Sequence, residues 1–155
     1  MHPHVARVAE VLRSAGASGE PVQLSESAHT AAEAAAALGC DVGAIASSLV
    51  FVADGEPLLV MTSGAHRVDT AHVAQLLGVA KVKRADADTV KAATGYAIGG
   101  VSPVGHPAPL RTLVDVALAD HEVVWAAAGH AHAVFPTTFY ELVRLTGGSP
   151  AEVAP

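Results

Sequence analysis

The residues able to do chemistry fall into three short stretches. Ser47 and Ser48 sit together in IASSLVFVA; GGVSPVGHPAPL (99–110) contains three glycines, three prolines, Ser102 and His106; AAGHAHA (127–133) contains Gly129, His130 and His132. The serines could act as nucleophiles, but none occurs in a Gly-x-Ser-x-Gly elbow, and Ser102 precedes a proline in a loop, where a hydroxyl more often braces a turn. His130 and His132, two apart, with His106 as a third imidazole, are the candidate metal ligands. Neither a His-x-x-x-His helix nor paired cysteines accompanies them, so no metal is expected. The remaining chemistry belongs to the main chain. Gly99 and Gly100 let a backbone approach a ligand closely and expose amides that could hold an anion or a developing oxyanion. Prolines would keep such a loop rigid. On composition alone, a binding loop and a plain connecting loop account for 99–110 equally well.

The elements that must position these stretches follow from periodicity and punctuation. Residues 5–15 carry apolar residues at helical spacing and predict an amphipathic helix ending near Gly16; Pro21–Leu24 is a short strand candidate. Thr30 and Glu33 have capping-box spacing ahead of an alanine-rich helix that Gly39 ends. Ile45–Ala53 and Leu58–Thr62 flank Asp54-Gly55, a tight-turn dipeptide, and read as central antiparallel strands. A helix capped by Asp69 runs to Leu77, Lys81–Arg84 reads as an edge strand, and a helix spans Asp86–Thr94. Strands are expected at Leu110–Val114 and Val123–Ala127, then a helix from Thr138 to about Leu145 with a second capping-box pattern. His66 and His72 read as surface residues around the Asp69 cap, while His2, His4, His29 and His121 have no visible partner. Interspersed helices and strands with at least one hairpin predict an α+β fold: one domain over 1–149, with a mixed, mostly antiparallel central sheet surrounded by helices, and a loose C-terminal tail at 150–155.

A chain of 155 residues, 51% hydrophobic, can bury a substantial core, about 68–70% of its unfolded surface. Its longest uncharged stretches, 92–110 and 123–140, are broken by Gly, Pro and His, so no membrane span is expected. The start, MHPHVARVAE, lacks a signal pattern, and the single cysteine, Cys40, suits a reducing cytoplasm. A net charge of −6 argues against a general nucleic-acid or DNA binder. Lys81, Lys83, Arg84 and Lys91 form a local basic cluster, read either as a solvated face or as a phosphate contact on an otherwise repelling surface.

The stretches IASSLVFVADGEPLLVMTSGAHRVD, ATGYAIGGVSPVGHPAPLRTLVD and VWAAAGHAHAVFPTTFYELVRLTGG, in that order between Ala28 and Gly148, resemble the YbaK/ProX-type aminoacyl-tRNA editing domains. That family is similar to the editing insertion of bacterial prolyl-tRNA synthetases. The resemblance implies hydrolysis of small amino acids (Ala, Ser or Cys) misattached to tRNA, most plausibly proline tRNA, in the cytoplasm and with no cofactor. It implies the 3′ end of aminoacyl-tRNA as partner, with prolyl-tRNA synthetase as a second. Gly99, Gly100, Ser102 and Pro103 match the family's glycine loop around the pocket for the amino acid and terminal adenosine, and Gly129 matches a glycine beside it. Gly99, Gly100 and His130 are accordingly the expected catalytic group. Ser47, Ser48, Ser102, Pro103, His106, Gly129 and His132 are the expected substrate-binding group. Where the family reads Ile-x-Lys-Ser-Leu-Val-Phe, this chain has Ser47 in the lysine's place. A hydroxyl donates one hydrogen bond but brings no charge. Ala133 and Val134 stand where some members carry an acidic residue, with His130 and His132 nearby to compensate. The alternative is a non-hydrolytic module that binds an aminoacyl ligand or a protein.

Overall fold

Helix starts are set by side-chain caps. In the computed structural model, which describes residues 2–155, Thr30 Oγ1 accepts from the Glu33 amide at 3.1 Å, and Glu33 Oε1 accepts from the Thr30 amide at 3.2 Å. This box opens α2 (Ala31–Leu38), following α1 (Pro3–Ser14) and a two-residue β1 (Val22–Gln23). Asp69 and Asp86 cap α3 (Thr70–Leu77) and α4 (Ala87–Thr94) by accepting from the amides of His72 and Thr89. The box expected at α5 (Phe139–Thr146) is half formed. Thr138 accepts from the Glu141 amide, but Glu141 Oε1 accepts the Thr137 hydroxyl at 2.7 Å.

The strands are β2 (Ile45–Ala53), β3 (Glu56–Ser63), β4 (Val82–Arg84), β5 (Arg111–Asp115), β6 (Val124–His130), β7 (Ala133–Thr137) and β8 (Ser149–Ala151). One mixed sheet has the order β1-β7-β6-β2-β3-β5-β8, with β4 also on β2. The β2–β3 hairpin turns at Asp54-Gly55, both with positive φ (48° and 87°), as a tight turn matching strand twist requires. The Asp54 carboxylate accepts from the amides of Ala80 and Lys81 at 3.0 Å, tying the turn to the start of β4.

Leu58, Leu59, Val60 and Met61 of β3 are all fully buried, so this strand is covered on both faces. Leu59 and Met61 pack with Val5, Val8 and Leu12 of α1 and with Phe135 and Leu142; Leu58 and Val60 pack with Phe51, Val73 and Val153. Val153 corrects the expectation of a loose tail. Residues 149–151 pair in parallel with β5, and Val153 has no exposed surface because it closes the second core. Strand β7 was also absent from the sequence reading; it pairs with both β6 and β1.

Asp115, at the end of β5, is 1% exposed and joins three elements: it accepts from the Ser63 amide at 2.9 Å, the Ala117 amide at 3.0 Å and the His66 ring at 2.8 Å. His66 is therefore a partner of a buried carboxylate, not a free surface residue, and His72 buries its Nε2. Among the described residues no helix is long and apolar enough to cross a membrane.

One irregularity of the sheet creates space. Strands β2 and β6 run parallel and pair only at Ile45↔Trp125 and Ala46↔Ala126. They then part, and β4 covers β2 again at Phe51–Ala53, with the Ala85 amide donating to the Val50 carbonyl at 3.1 Å. Between these contacts the outer edge of β2 is uncovered.

Candidate functional site

The fork between β2 and β6 opens into a cavity of about 310 Å³. Its floor is β2 from Ile45 to Val50. One wall is the segment Ala28–Ala31 with Ala34 of α2; the opposite side comprises Ala127, His130, Ala131, Ala133 and Val134 of the β6–β7 hairpin, with Trp125 below. Ile98 (57% exposed), Gly99 and Arg84 form the mouth. Seven of the lining residues are alanines, beside larger apolar side chains such as Ile45, Leu49, Val50 and Trp125.

Ladder geometry assigns the floor's polar groups. The Gly64 amide donates to the Ile45 carbonyl at 2.8 Å, so the odd-numbered residues of β2 direct their main-chain groups at β3. By alternation the amide and carbonyl of Ser48 point away from β3, into the fork. The Ser48 hydroxyl donates to Met61 Sδ at 3.2 Å, a weak acceptor that a ligand could outbid.

Glycines hold the hairpin wall in place. A Cβ on Gly100 would lie 3.0 Å from His130 Cα and 3.2 Å from the Gly129 carbonyl, and a Cβ on Gly129 (φ 96°) would lie 2.9 Å from His4 Cβ. Three backbones are thus stacked in contact: the glycine segment, the end of β6 at 129–130 and the start of α1. The Gly100 amide is already committed to the Ala97 carbonyl at 3.0 Å, so this glycine contributes closeness instead of a free donor.

His130 faces the cavity with its tautomer fixed. Its Nδ1 accepts from the His132 amide at 3.2 Å, so in the neutral ring the hydrogen sits on Nε2, making that nitrogen a donor. The His132 ring stacks on it at 5.2 Å, and the tilted His2 ring lies 4.7 Å from it and 4.9 Å from His4. Burial and the neighbouring His130, His4 and Lys91 lower the His2 pKa. Arg84 projects its guanidinium 5.6 Å above the Phe51 ring, a cation–π contact that fixes a positive charge at the mouth.

The structure brings Ser47, Ser48, Gly99 and His130 together around the cavity and places Gly100, Gly129 and His132 in the layer behind. Ser102, Pro103 and His106 lie elsewhere. Ser102 is fully buried and accepts from the Val104 amide; His106 Nε2 donates to the Ser102 carbonyl at 2.7 Å, and the Tyr96 hydroxyl donates to the Val104 carbonyl at 2.6 Å. Burial pushes the His106 pKa down, in keeping with a neutral brace. Pro103 and His106 instead line a second, more open pocket of about 330 Å³ between α1 and α5. The sequence reading missed Arg84, Ile98, Trp125 and the 28–34 alanines as lining residues. Only Arg84 carried a signal, through the basic cluster. Among the described residues no three potential ligands converge as a metal site would need.

A model of the aminoacyl-tRNA editing domain matches residues 25–145. Over the full length, the chain superimposes with a TM-score of 0.91 and 39% identity on a crystal structure of a candidate trans-editing enzyme for prolyl tRNA synthetase, covering 99% of that chain. It also covers 98% of a hypothetical protein's crystal structure (TM-score 0.88, 30% identity, 95% of this chain). A proline–tRNA ligase of Nitratidesulfovibrio vulgaris (strain DP4) is 34% identical over 91 residues, 59% of this chain, and the match spans only 16% of that ligase.

Proposed function

The chain belongs to the aminoacyl-tRNA editing domain family, and from that premise we propose that it is a trans-editing deacylase. Its substrates are small amino acids, Ala, Ser or Cys, esterified to the 3′ end of tRNA, with proline tRNA as the carrier. The observation that supports this reading is the fork cavity: a space of about 310 Å³ set against exposed main chain, with His130 on one wall and a cation at the mouth.

Hydrolysis of such an ester asks for little. A water oxygen bonds to the acyl carbon, the bond to the ribose oxygen breaks, and that oxygen leaves with a proton. The protein holds the activated ester, orients the water and stabilises the transient oxyanion. His130 Nε2–H is the donor suited to that oxyanion, because its Nδ1 is occupied by the His132 amide. The Ser48 main chain on the open edge, with Gly99 opposite, orients the acyl group. Ser47 offers a hydroxyl to the terminal nucleotide, and Arg84 supplies the positive charge that Ser47 lacks. With a net charge of −6, broad RNA affinity is weak, so access depends on the 3′ end and on a synthetase such as prolyl-tRNA synthetase presenting it.

The test is release of labelled amino acid from proline tRNA charged with Ala, Ser, Cys or Pro, beside correctly matched pairs. Selective release of one or more of the three small residues is the expected result. No release from any member would overturn the deacylase reading and favour a binding module, with Ser47 as its cause.

A further inference from the structure

The charges around the cavity are one-sided. Arg84 of β4 stands at the mouth, and the imidazoles of His29 and His130 line the walls. Among the described lining residues none carries a carboxylate. Glu33, one turn into α2, has Oε1 engaged by the amides of His29 and Thr30 at 3.0 and 3.2 Å. Beside His130 lie the rings of His2 and His132. From β4, α4, the 28–34 segment and the β6–β7 hairpin, the titratable side chains that line this space are therefore Arg84, His29 and His130.

A protonated α-amine has no counter-ion here. Taking an ammonium out of water is costly unless it is paired, whereas a neutral amine or a hydroxyl needs only a hydrogen-bond partner. The open edge of β2 supplies one, because the Ser48 carbonyl faces the fork. An amine and a hydroxyl on the same carbon are also close in size, so the apolar lining does not separate them.

We propose that this site reads the acyl group in its uncharged form, accepting the free-amine form of an aminoacyl ester and, equally, α-hydroxyacyl esters such as a lactyl ester of the tRNA 3′ end. This rests on the deacylase reading for its chemistry, with the same bonds made and broken, but the binding preference stands apart from hydrolysis.

Two measurements with the wild-type chain separate these claims. The first compares kcat/KM for alanyl and lactyl esters of the same tRNA. At about pH 8, near the ordinary α-amine range of about 7.7–8.0, the two should agree within about threefold. Below the amine's own pKa the alanyl value should fall about tenfold per pH unit relative to the lactyl value. A ratio that stays constant with pH, or a lactyl ester left intact while the alanyl ester is cleaved, overturns the proposal.

The second follows the fluorescence of Trp125, the chain's single tryptophan and a cavity residue, during titration with uncleavable 3′-amide analogues of alanyl- and lactyl-adenosine. At about pH 6, where an ordinary α-amine is protonated, the lactyl analogue should bind about tenfold or more tightly than the alanyl one. Equal binding, tighter binding of the alanyl analogue, or binding of neither overturns it. The expected order of affinities without hydrolysis of either ester would sink the deacylase reading alone.

Discussion

Gly100→Ala tests the stacked backbones directly, because φ at Gly100 lies outside the left-handed region and any effect of a methyl is steric. The new Cβ would lie 3.0 Å from His130 Cα and 3.2 Å from the Gly129 carbonyl, and both are main chain that no rotamer can move. Carbon pairs settle at about 3.5–4.0 Å, so the end of β6 at 129–130 must retreat by about 0.5 Å. Overpacking of this kind costs about 1–3 kcal/mol, at about 2–4 °C of Tm per kcal/mol for a chain of this size. The same retreat displaces the His130 donor. Since a 1 Å misplacement costs about 100-fold in rate, the expected loss of kcat is about 10-fold or somewhat more, with KM changed less. Single-turnover deacylation and thermal melting report the two effects. Gly39→Ala is the control: its φ is 69° but its Cβ would meet nothing within 4 Å, so it should cost about 1–2 kcal/mol of left-handed strain and leave the rate unchanged. Wild-type kcat in Gly100→Ala, or equal rate losses in both variants, would refute the argument that closeness at Gly100 positions His130.

Asp115→Ala should destabilise the fold by about 2–4 kcal/mol in urea unfolding, since it strands the buried Ser63 amide at about 1–3 kcal/mol and releases His66, a partner discounted because it is one-third exposed. Asp115→Asn should retain much of that stability. Burial holds the His106 imidazole below its ordinary 6.5, so the unfolded chain takes up a proton first as pH falls through 6.5, and stability drops until the folded ring protonates too. His106→Gln should flatten that part of the acid limb in unfolding free energies measured between about pH 7.5 and 5; an unchanged slope would show that the ring titrates normally. Arg84→Ala should reduce the slope of log(kcat/KM) against log salt by about 0.7, the value for one single-strand phosphate contact, in deacylation assays over a salt series. An unchanged slope would place the phosphates elsewhere.

Most local signals in the sequence were read correctly, the half-formed box at Thr138 and Glu141 being an exception. The Thr30–Glu33 box, the caps at Asp69 and Asp86, and the Asp54-Gly55 turn each form as their residue types require. Strand β7 was missed because AVFPT contains a proline and follows its partner by only two residues. Strand β8 was missed because Ser149-Pro150-Ala151 has no apolar alternation; its register comes from β5, and Val153 anchors it by burial. Long-range pairs left no trace: His66 and Asp115 are 49 residues apart, and His2 meets His130 only through the placement of α1. The candidate site was legible as two glycine-bearing stretches and a serine pair. Its cavity was not, because it arises from the divergence of β2 and β6, which no local pattern encodes. The sequence reading also grouped all of GGVSPVGH with the site, whereas its second half turns inward and braces itself through Tyr96, Ser102 and His106.

The fork has a bearing on solubility. An unpaired strand edge ordinarily invites the edge of another sheet, and long flat edges seed aggregation. Here the free peptide groups of β2 occupy only the interval between Ala46 and Phe51, closed at one end by β6 and at the other by β4. A typical strand of about 5–6 residues cannot lie down in so short a recess. The molecule can therefore keep main-chain donors and acceptors open to a small guest in a recess too short for a strand of ordinary length.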